Sequence, residues 1–532
     1  MLPRALRTLF TLALTVLVLA GCGGGKNHTK QDVGWPNWGN VPENTHFAAL
    51  DQVDRGNLAK LRVAWTRPGG QGQSAWETFP IVVGRTMYYD TGLDQVFAVD
   101  AATGKVRWSY SPPVDFLAGP GLELAEPVSR GVTYGAGKIF LTTGDDQLIA
   151  LDAATGKVRW QTRVVDPEKG NTMNSPGTFW QGEILVGGPA GDAGLRGFVA
   201  AYDAATGKQL WRTFVVPPEG KGWRRARGSH GGGDVWMPPV VDPGSATAYV
   251  STGNPTPGFT NAERPGCNPL ADATVALDAK TGKIEWSHTE VCNDSWDYDT
   301  VQAPTILDLG QGAGSVRAVG AGSKSGYYST LDAATGKLIA RSPYITKYSR
   351  PHLRPTRRGT VVCPGIFGGI EYGPAAWSPE RQSLYLAGNQ FCMRYKVDTR
   401  RQIEEHAPGE DDLAGTTEQV GEATGVFAAL DPATGRIRWR VPLPRPSNGG
   451  ALATAGGFVL VGDDDGYLYA FDDRTGKRLW RYDLRRRVGS APIAYEIDGV
   501  EYIAIAAGGS LVEAKGTVPD APARLFVFRL GR

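Results

Sequence analysis

Apolar and polar residues alternate along this chain in short runs that never reach a helical period. The clearest run is Leu151-Asp152-Ala153-Ala154-Thr155-Gly156-Lys157-Val158-Arg159-Trp160. An apolar approach ends in Asp, a Thr-Gly pair follows, and an alternating stretch leads to Trp. The pattern predicts a strand, a tight turn and a second strand. Gly supplies the positive φ that the turn needs, and Asp hydrogen-bonds the turn's own backbone. Near copies end at Trp108, Trp211, Trp286, Trp439 and Trp480, and a worn copy, Leu331 to Lys337, lacks the Trp. The repeated Asp residues fall at 100, 152, 203, 278, 332, 431 and 472, so successive spacings are 52, 51, 75, 54, 99 and 41. Units of about 40–50 residues are a propeller signature. The fixed Trp is expected to lodge between neighbouring units.

The fold class predicted is all-β: an eight-bladed β-propeller, with seven blades as the alternative count. Its ends look like two halves of one unit. Leu61-Arg62-Val63-Ala64-Trp65 matches the strand after the turn, and Arg524-Leu525-Phe526-Val527-Phe528 matches the strand before it. Pairing them would close the ring and remove exposed sheet edges. The two long spacings, 203–278 and 332–431, exceed what a blade needs. Their loops are expected to rise over one face and to carry function.

Composition narrows the classes. With 56 Lys and Arg against 54 Asp and Glu, the net charge of +2 argues against a nucleic-acid binder. At the N-terminus, Arg4 and Arg7 precede an apolar run from Leu9 to Leu19 that is too short for a confident membrane span. It ends in Leu19-Ala20-Gly21-Cys22, which resembles a bacterial lipobox. The implied division is a signal peptide at 1–21, a flexible tether at 22–34 beginning with a lipid-modified Cys22, and a propeller at 35–532. The body is then exported and held at the cell envelope, periplasmic or extracellular, by its lipid. A plain secretory signal is the alternative. Four cysteines remain, Cys267, Cys292, Cys363 and Cys392, an even number suited to an oxidising compartment. Three pairings are open, and proximity favours Cys267–Cys292 with Cys363–Cys392. No Cys-x-x-Cys-His occurs, so no covalently attached haem is expected.

Chemistry is written where the rhythm breaks. The text reads Gly231-Gly232-Gly233-Asp234-Val235-Trp236, then Ser251-Thr252-Gly253-Asn254-Pro255, then Asn293-Asp294-Ser295-Trp296-Asp297-Tyr298-Asp299. These segments, with Trp35-Pro36-Asn37-Trp38 and Asn44-Thr45-His46-Phe47 near the start, resemble the pyrroloquinoline quinone (PQQ) dependent alcohol dehydrogenases. The resemblance implies an eight-bladed propeller that oxidises an alcohol or polyol and passes electrons to a separate cytochrome or quinone. It places Trp236 beneath the flat cofactor, Arg130 on a cofactor carboxylate, Glu77 on the cofactor's rim and Lys324 near the quinone oxygens. Asn254 and Asp297 match a metal ligand and the catalytic carboxylate. A hard cation polarising an orthoquinone calls for oxygen ligands of this kind, and a carboxylate beside the alcohol can take its proton.

Several positions depart from the family pattern. Asp192 stands where the family has a glutamate ligand, so ligand distance or denticity changes. Asp299 resembles the extra carboxylate of lanthanide-dependent members, which makes calcium the default ion and a lanthanide the alternative. Leu124-Ala125 replaces an adjacent-cysteine disulfide, and Glu371 replaces an Asn on the cofactor rim. A non-catalytic lipoprotein propeller serving as an interaction scaffold is the competing reading, since scaffolds share the hairpin repeat. Hydrolysis of a polymer ranks third, with no distinctive catalytic pair to support it.

Overall fold

The computed structural model describes residues 32–69, 75–114, 127–165, 173–188, 192, 194–217, 223, 231–262, 264–310, 312–349, 353–399, 413–508 and 522–531. The proposed signal peptide, Cys22, most of the tether and Leu124-Ala125 lie outside them.

The fold is an all-β propeller. Among the described residues, eight antiparallel sheets carry four strands each in simple up-and-down order, and a short parallel strand, Phe47–Ala48, extends one of them. Seven follow one another along the chain, from Ile81–Tyr110 to Ala451–Asp483. The eighth joins Ile493–Ile497, Val500–Ala507 and Arg524–Leu530 to Leu61–Pro68 near the N-terminus. The predicted pairing of the two ends is present, with Leu61 opposite Leu530 and Pro68 opposite Arg524.

Each predicted hairpin forms as its residues dictate. Asp152 Oδ1 accepts hydrogen bonds from the Thr155 amide (2.9 Å) and hydroxyl (2.8 Å), and Arg159 donates to the other oxygen at 2.6 Å. Gly156 takes φ +72°, where a Cβ is disfavoured. The space above it is filled by the Trp of the preceding sheet: an added methyl group would stand 2.6 Å from the Trp108 ring. The Trp108 indole N–H donates to Ala153 O at 3.0 Å. Trp65, Trp160, Trp286 and Trp439 make the same bond to the next unit, and Trp480 meets Phe528 of the last sheet edge-on. At the worn repeat Gly435 rests on the Arg341 backbone instead.

The longest interval is more than loop. Besides three strands of a four-stranded sheet, 332–431 holds a separate three-stranded sheet, Thr360–Val362, Met393–Val397 and Gly415–Gln419. This small sheet packs with Phe259 and Trp296 in one apolar cluster beside the segment that carries Asp297. Both favoured disulfides form, Cys267–Cys292 and Cys363–Cys392. They clamp the two long insertions.

The N-terminal segment crosses the middle of the molecule. Val33 pairs with Glu496 and Trp35 with Val82, while Ile306, Trp377 and Ala453 donate backbone bonds to Glu43, Thr45 and His46. The first or last strands of five sheets are tied together by residues 33–46. No helix among the described residues is long and apolar enough to cross a membrane.

Candidate active site

Three loops converge because a run of glycines lets backbones touch. The Gly232 amide donates to Leu195 O at 2.9 Å, Gly233 donates to Asn254 O at 2.9 Å, and Gly253 donates to Asp234 O at 2.9 Å. A side chain at Gly232 would collide with the Asn254 carbonyl. The contacts bring together Asp192, Asp234, Trp236 and Asn254, which lie on separate stretches of sequence.

A fourth segment, 293–299, is pinned beside them. The Asp294 carboxylate accepts from the Trp296 and Tyr298 amides at 3.1 Å each, and buried Arg264 donates to Asp294 O at 2.9 Å. Asp297 is then held at φ +62°, a left-handed conformation in which ordered Asp side chains concentrate at turns and functional sites. Asp299 Oδ1 accepts the Asn254 amide at 2.6 Å. Lys324 closes the group, with its ammonium 3.0 Å from Asp297 Oδ1 and 2.8 Å from Asp299 Oδ2.

The donor set suits a hard cation. The terminal amide atom of Asn254 that faces the acids lies 3.3 Å from both Asp299 Oδ1 and Asp192 Oδ1. With nitrogen there it donates to both. With oxygen there three oxygens converge, which is the ligand chemistry of calcium or a lanthanide. Among the described residues no three acidic, His or Cys side chains converge as a ready-made metal site, and Lys324 fills the gap between two of the acids.

Beside this cluster Trp236 offers a ring face to cations. Arg130 stands 5.0 Å and the Lys324 ammonium 5.7 Å from its ring centroid, and Arg130 also lies 4.9 Å from that of Tyr372. An indole face with two fixed cations beside it is the chemistry that a flat, polyanionic ring system calls for. Arg130 is itself aimed by Glu77 at 2.8 Å and by Asn174 at 2.8 Å, and its carbonyl accepts the Trp38 indole N–H at 3.1 Å. Glu77 is fully buried in that ion pair and steadies Arg130.

Electrostatics mark the site. Burial pushes the Asp297 carboxyl well up, and neighbouring Asp299 and Asp192 add to the shift against Lys324. Burial likewise raises Asp234, with Asp299 and Asp192 adding to it. Glu371, also buried, is pushed up to about 8 by burial against the attraction of Lys324. Lys324 stays an ammonium, because Asp297, Asp299 and Glu371 outweigh its burial. The structure therefore gathers Asp192, Trp236, Asn254, Asp297, Asp299, Lys324 and Arg130, all anticipated from sequence. Asp234 was not assigned a role; its place two residues before Trp236, after three glycines, is the only signal that could have found it.

Comparison with known proteins agrees with this geometry. The family described as glucose/ethanol/alcohol dehydrogenase, beta-propeller domain (PQQ) matches residues 35–343, and the outer membrane protein assembly factor BamB family matches residues 423–515. The chain is 30% identical to the quinohemoprotein alcohol dehydrogenase of Comamonas testosteroni, over 93% of this chain and 76% of that protein. It is 30% identical to the lanthanide-dependent methanol dehydrogenase of Methylacidiphilum fumariolicum, over 78% of this chain and 74% of that protein. Among solved structures, a europium-containing methanol dehydrogenase superposes with a TM-score of 0.85 at 27% identity, over 94% of this chain and 98% of that one. The Comamonas testosteroni quinohemoprotein alcohol dehydrogenase superposes with a TM-score of 0.84 at 26% identity, over 95% and 82%.

Proposed function

Because the chain belongs to the PQQ-dependent alcohol dehydrogenase family, we propose that it oxidises an alcohol with PQQ and a hard metal ion, Asp297 accepting the hydroxyl proton. The observation that carries this reading is the union of a cation-flanked Trp236 face with a buried cluster of carboxylates and an amide. Trp236 would lie under the cofactor, with Arg130 and Lys324 toward its anionic groups and Glu77 holding Arg130 in place. Asp192, Asn254, Asp297 and Asp299 would hold calcium or a lanthanide. When bound, the quinone supplies a hydride acceptor and the metal ion makes it more electrophilic.

The chain's own residues do the rest. Asp297, buried and with a raised proton affinity, is suited to remove the alcohol proton at Oδ. Lys324 keeps that carboxylate and Asp299 compensated until substrate arrives. The apolar cluster around Phe259, Trp296 and Tyr395 borders the same segment and keeps water from the reacting carboxylate. Electrons then leave to a separate cytochrome or quinone.

The eight four-stranded sheets are best read as eight blades of one closed ring spanning 35–532. Support comes from the pairing of the two ends and the Trp contacts that pass from one sheet to the next everywhere but at the worn repeat. The N-terminus fits a signal peptide at 1–21, a tether at 22–34 and lipid attachment at Cys22, which places the enzyme outside the cytoplasm at a membrane surface. A scaffold reading has one observation in its favour, the BamB-family match at 423–515. A scaffold has no use for Lys324 buried between two acids.

The test is direct. The chain lacking residues 1–22 is loaded with PQQ and either Ca2+ or La3+, and dye reduction is followed with a panel of alcohols. Turnover with at least one ion is expected, and Asp297→Asn should cost about 10²–10⁴-fold in kcat with an unchanged circular dichroism spectrum. Neither PQQ binding nor dye reduction under any ion would leave the scaffold reading in its place.

A further inference from the structure

Asp234 has no part in the reading above, yet it stands inside the same cluster. It is aimed there by the Gly231-Gly232-Gly233 run, which fixes its backbone against Gly253 through the 2.9 Å bond from Gly253 N to Asp234 O. Its Oδ1 is buried without a hydrogen-bond partner. A methyl group added at Gly253 would collide with this oxygen and stand 3.4 Å from Asp299 Oδ1. Both carboxylate oxygens therefore border one glycine, near enough for a single large hard cation, whose bonds to oxygen run about 2.3–2.6 Å, to reach both.

The local charge points the same way. Asp192 and Asp299 each act electrostatically on both Asp234 and Asp297, and Lys324 is the cation that acts on both. Asp297, Asp299 and the buried Oδ1 of Asp234, with the more exposed Asp192 beside them, outnumber the one ammonium in charge. A buried carboxylate with an unsatisfied oxygen is costly unless a proton or a cation meets it. Neighbouring Asn254 adds a neutral oxygen or an amide donor and does not change the balance.

We propose that Asp234 is a further ligand of the metal ion in this chain, and that it tilts the site toward a trivalent over a divalent cation. The proposal rests on the metal-assisted reading of the site. A fourth carboxylate in reach adds a full unit of negative charge, which gains more from a 3+ ion than from a 2+ ion of similar size.

The experiment uses the cofactor-free chain and the metal alone. Tb3+ is titrated while its luminescence is excited through tryptophan, and Ca2+ affinity is measured by its competition with Tb3+. Trp236→Phe serves as a control that the signal arises at this site, and it should remove most of it. Wild type is expected to hold Tb3+ at least a hundredfold more tightly than Ca2+. Asp234→Asn should weaken Tb3+ by at least tenfold and Ca2+ by a clearly smaller factor. Circular dichroism and thermal melting accompany each variant, and Asp234→Ser replaces Asp234→Asn should the latter not fold. Equal Tb3+ affinity in wild type and a folded Asp234 variant overturns the proposal, as does an equal loss for both ions. Binding of neither ion to wild type removes the metal-assisted reading itself, a different result from a silent Asp234.

Discussion

Asp152 in the repeat and Asp297 in the site are the same side chain put to opposite use. Asp152 sits at the rim, where its oxygens take the Thr155 amide and hydroxyl and the Arg159 guanidinium. The bond from Arg159 first, then those from Thr155, hold its pKa down to about 2. Asp297 is buried on a left-handed turn, shares one ammonium with Asp299 and is pushed up. A rim Asp whose bonds are satisfied locally shapes a turn and is chemically quiet. A buried Asp that shares its counter-charge is poised to take a proton or a cation. The repeat spends carboxylates on geometry, and the site concentrates them for chemistry.

The sharpest way to break that contrast is to remove the shared cation. Lys324→Met leaves Asp297 and Asp299 buried beside each other with no ammonium between them. Loss of one partner of a buried ion pair costs about 3–5 kcal/mol. The cofactor-free variant should melt correspondingly lower, and added metal ion should restore part of the loss by supplying a cation to the same oxygens. Melting unchanged from wild type would mean that Lys324 does not compensate the acids.

Glu371 sharpens it from the other side. Folded, Glu371 holds its proton up to about pH 8; its ordinary value is 4.5. Between those values the folded chain binds more protons than the unfolded one, so stability is fully present below about pH 4.5 and is lost as pH rises through 8. Lys324, Asp299 and Glu77 face Glu371, and other buried acids contribute to the absolute curve, so the readout is the difference between wild type and Glu371→Gln. The cofactor-free variant should gain up to a few kcal/mol over wild type at pH 8, and the gain should vanish at pH 4. A difference that is flat with pH would mean that Glu371 ionises normally.

How much of this could be read from the chain follows the same division. The hairpins were legible because their cause is local: Asp, Thr and Gly within five residues satisfy one another, and Trp falls at a fixed offset. The end-to-end pairing was legible for the same reason, since each end carries half of the repeat. Asp192, Asn254, Trp236, Asp297 and Lys324 were found through motif resemblance, with no local physics that demanded them. Glu77 was singled out as a polar contact on the cofactor's rim; its pairing with Arg130 was not legible, because that depends on how 75–79 packs against 128–131. The three-stranded sheet within 332–431 carries no Thr-Gly turn to announce it. Asp234 and the depth of Glu371 become visible only when segments distant in sequence are brought together.

The last comparison isolates what holds one sheet against the next. Gly137 and Gly156 share φ +72°, so replacing either with Ala incurs the same left-handed penalty of about 1–2 kcal/mol. They differ in what the new methyl meets. At Gly137 nothing lies within 4 Å, whereas at Gly156 the Trp108 ring stands 2.6 Å away. Ala at 156 must push the indole off the turn and strain the bond from Trp108 to Ala153 O, an overpacking cost of about 1–3 kcal/mol. Subtracting the Gly137→Ala loss from the Gly156→Ala loss in urea unfolding cancels the backbone term and leaves the docking of Trp on its neighbour. A remainder of about 1–3 kcal/mol is expected. A remainder near zero would make the repeated Trp a passenger and leave the strand ladders within each sheet to hold the array together. On the expected result, the repeat's Trp and Gly form one contact between residues 37 to 71 apart in sequence, and the site depends on that contact for the fixed spacing of its acids.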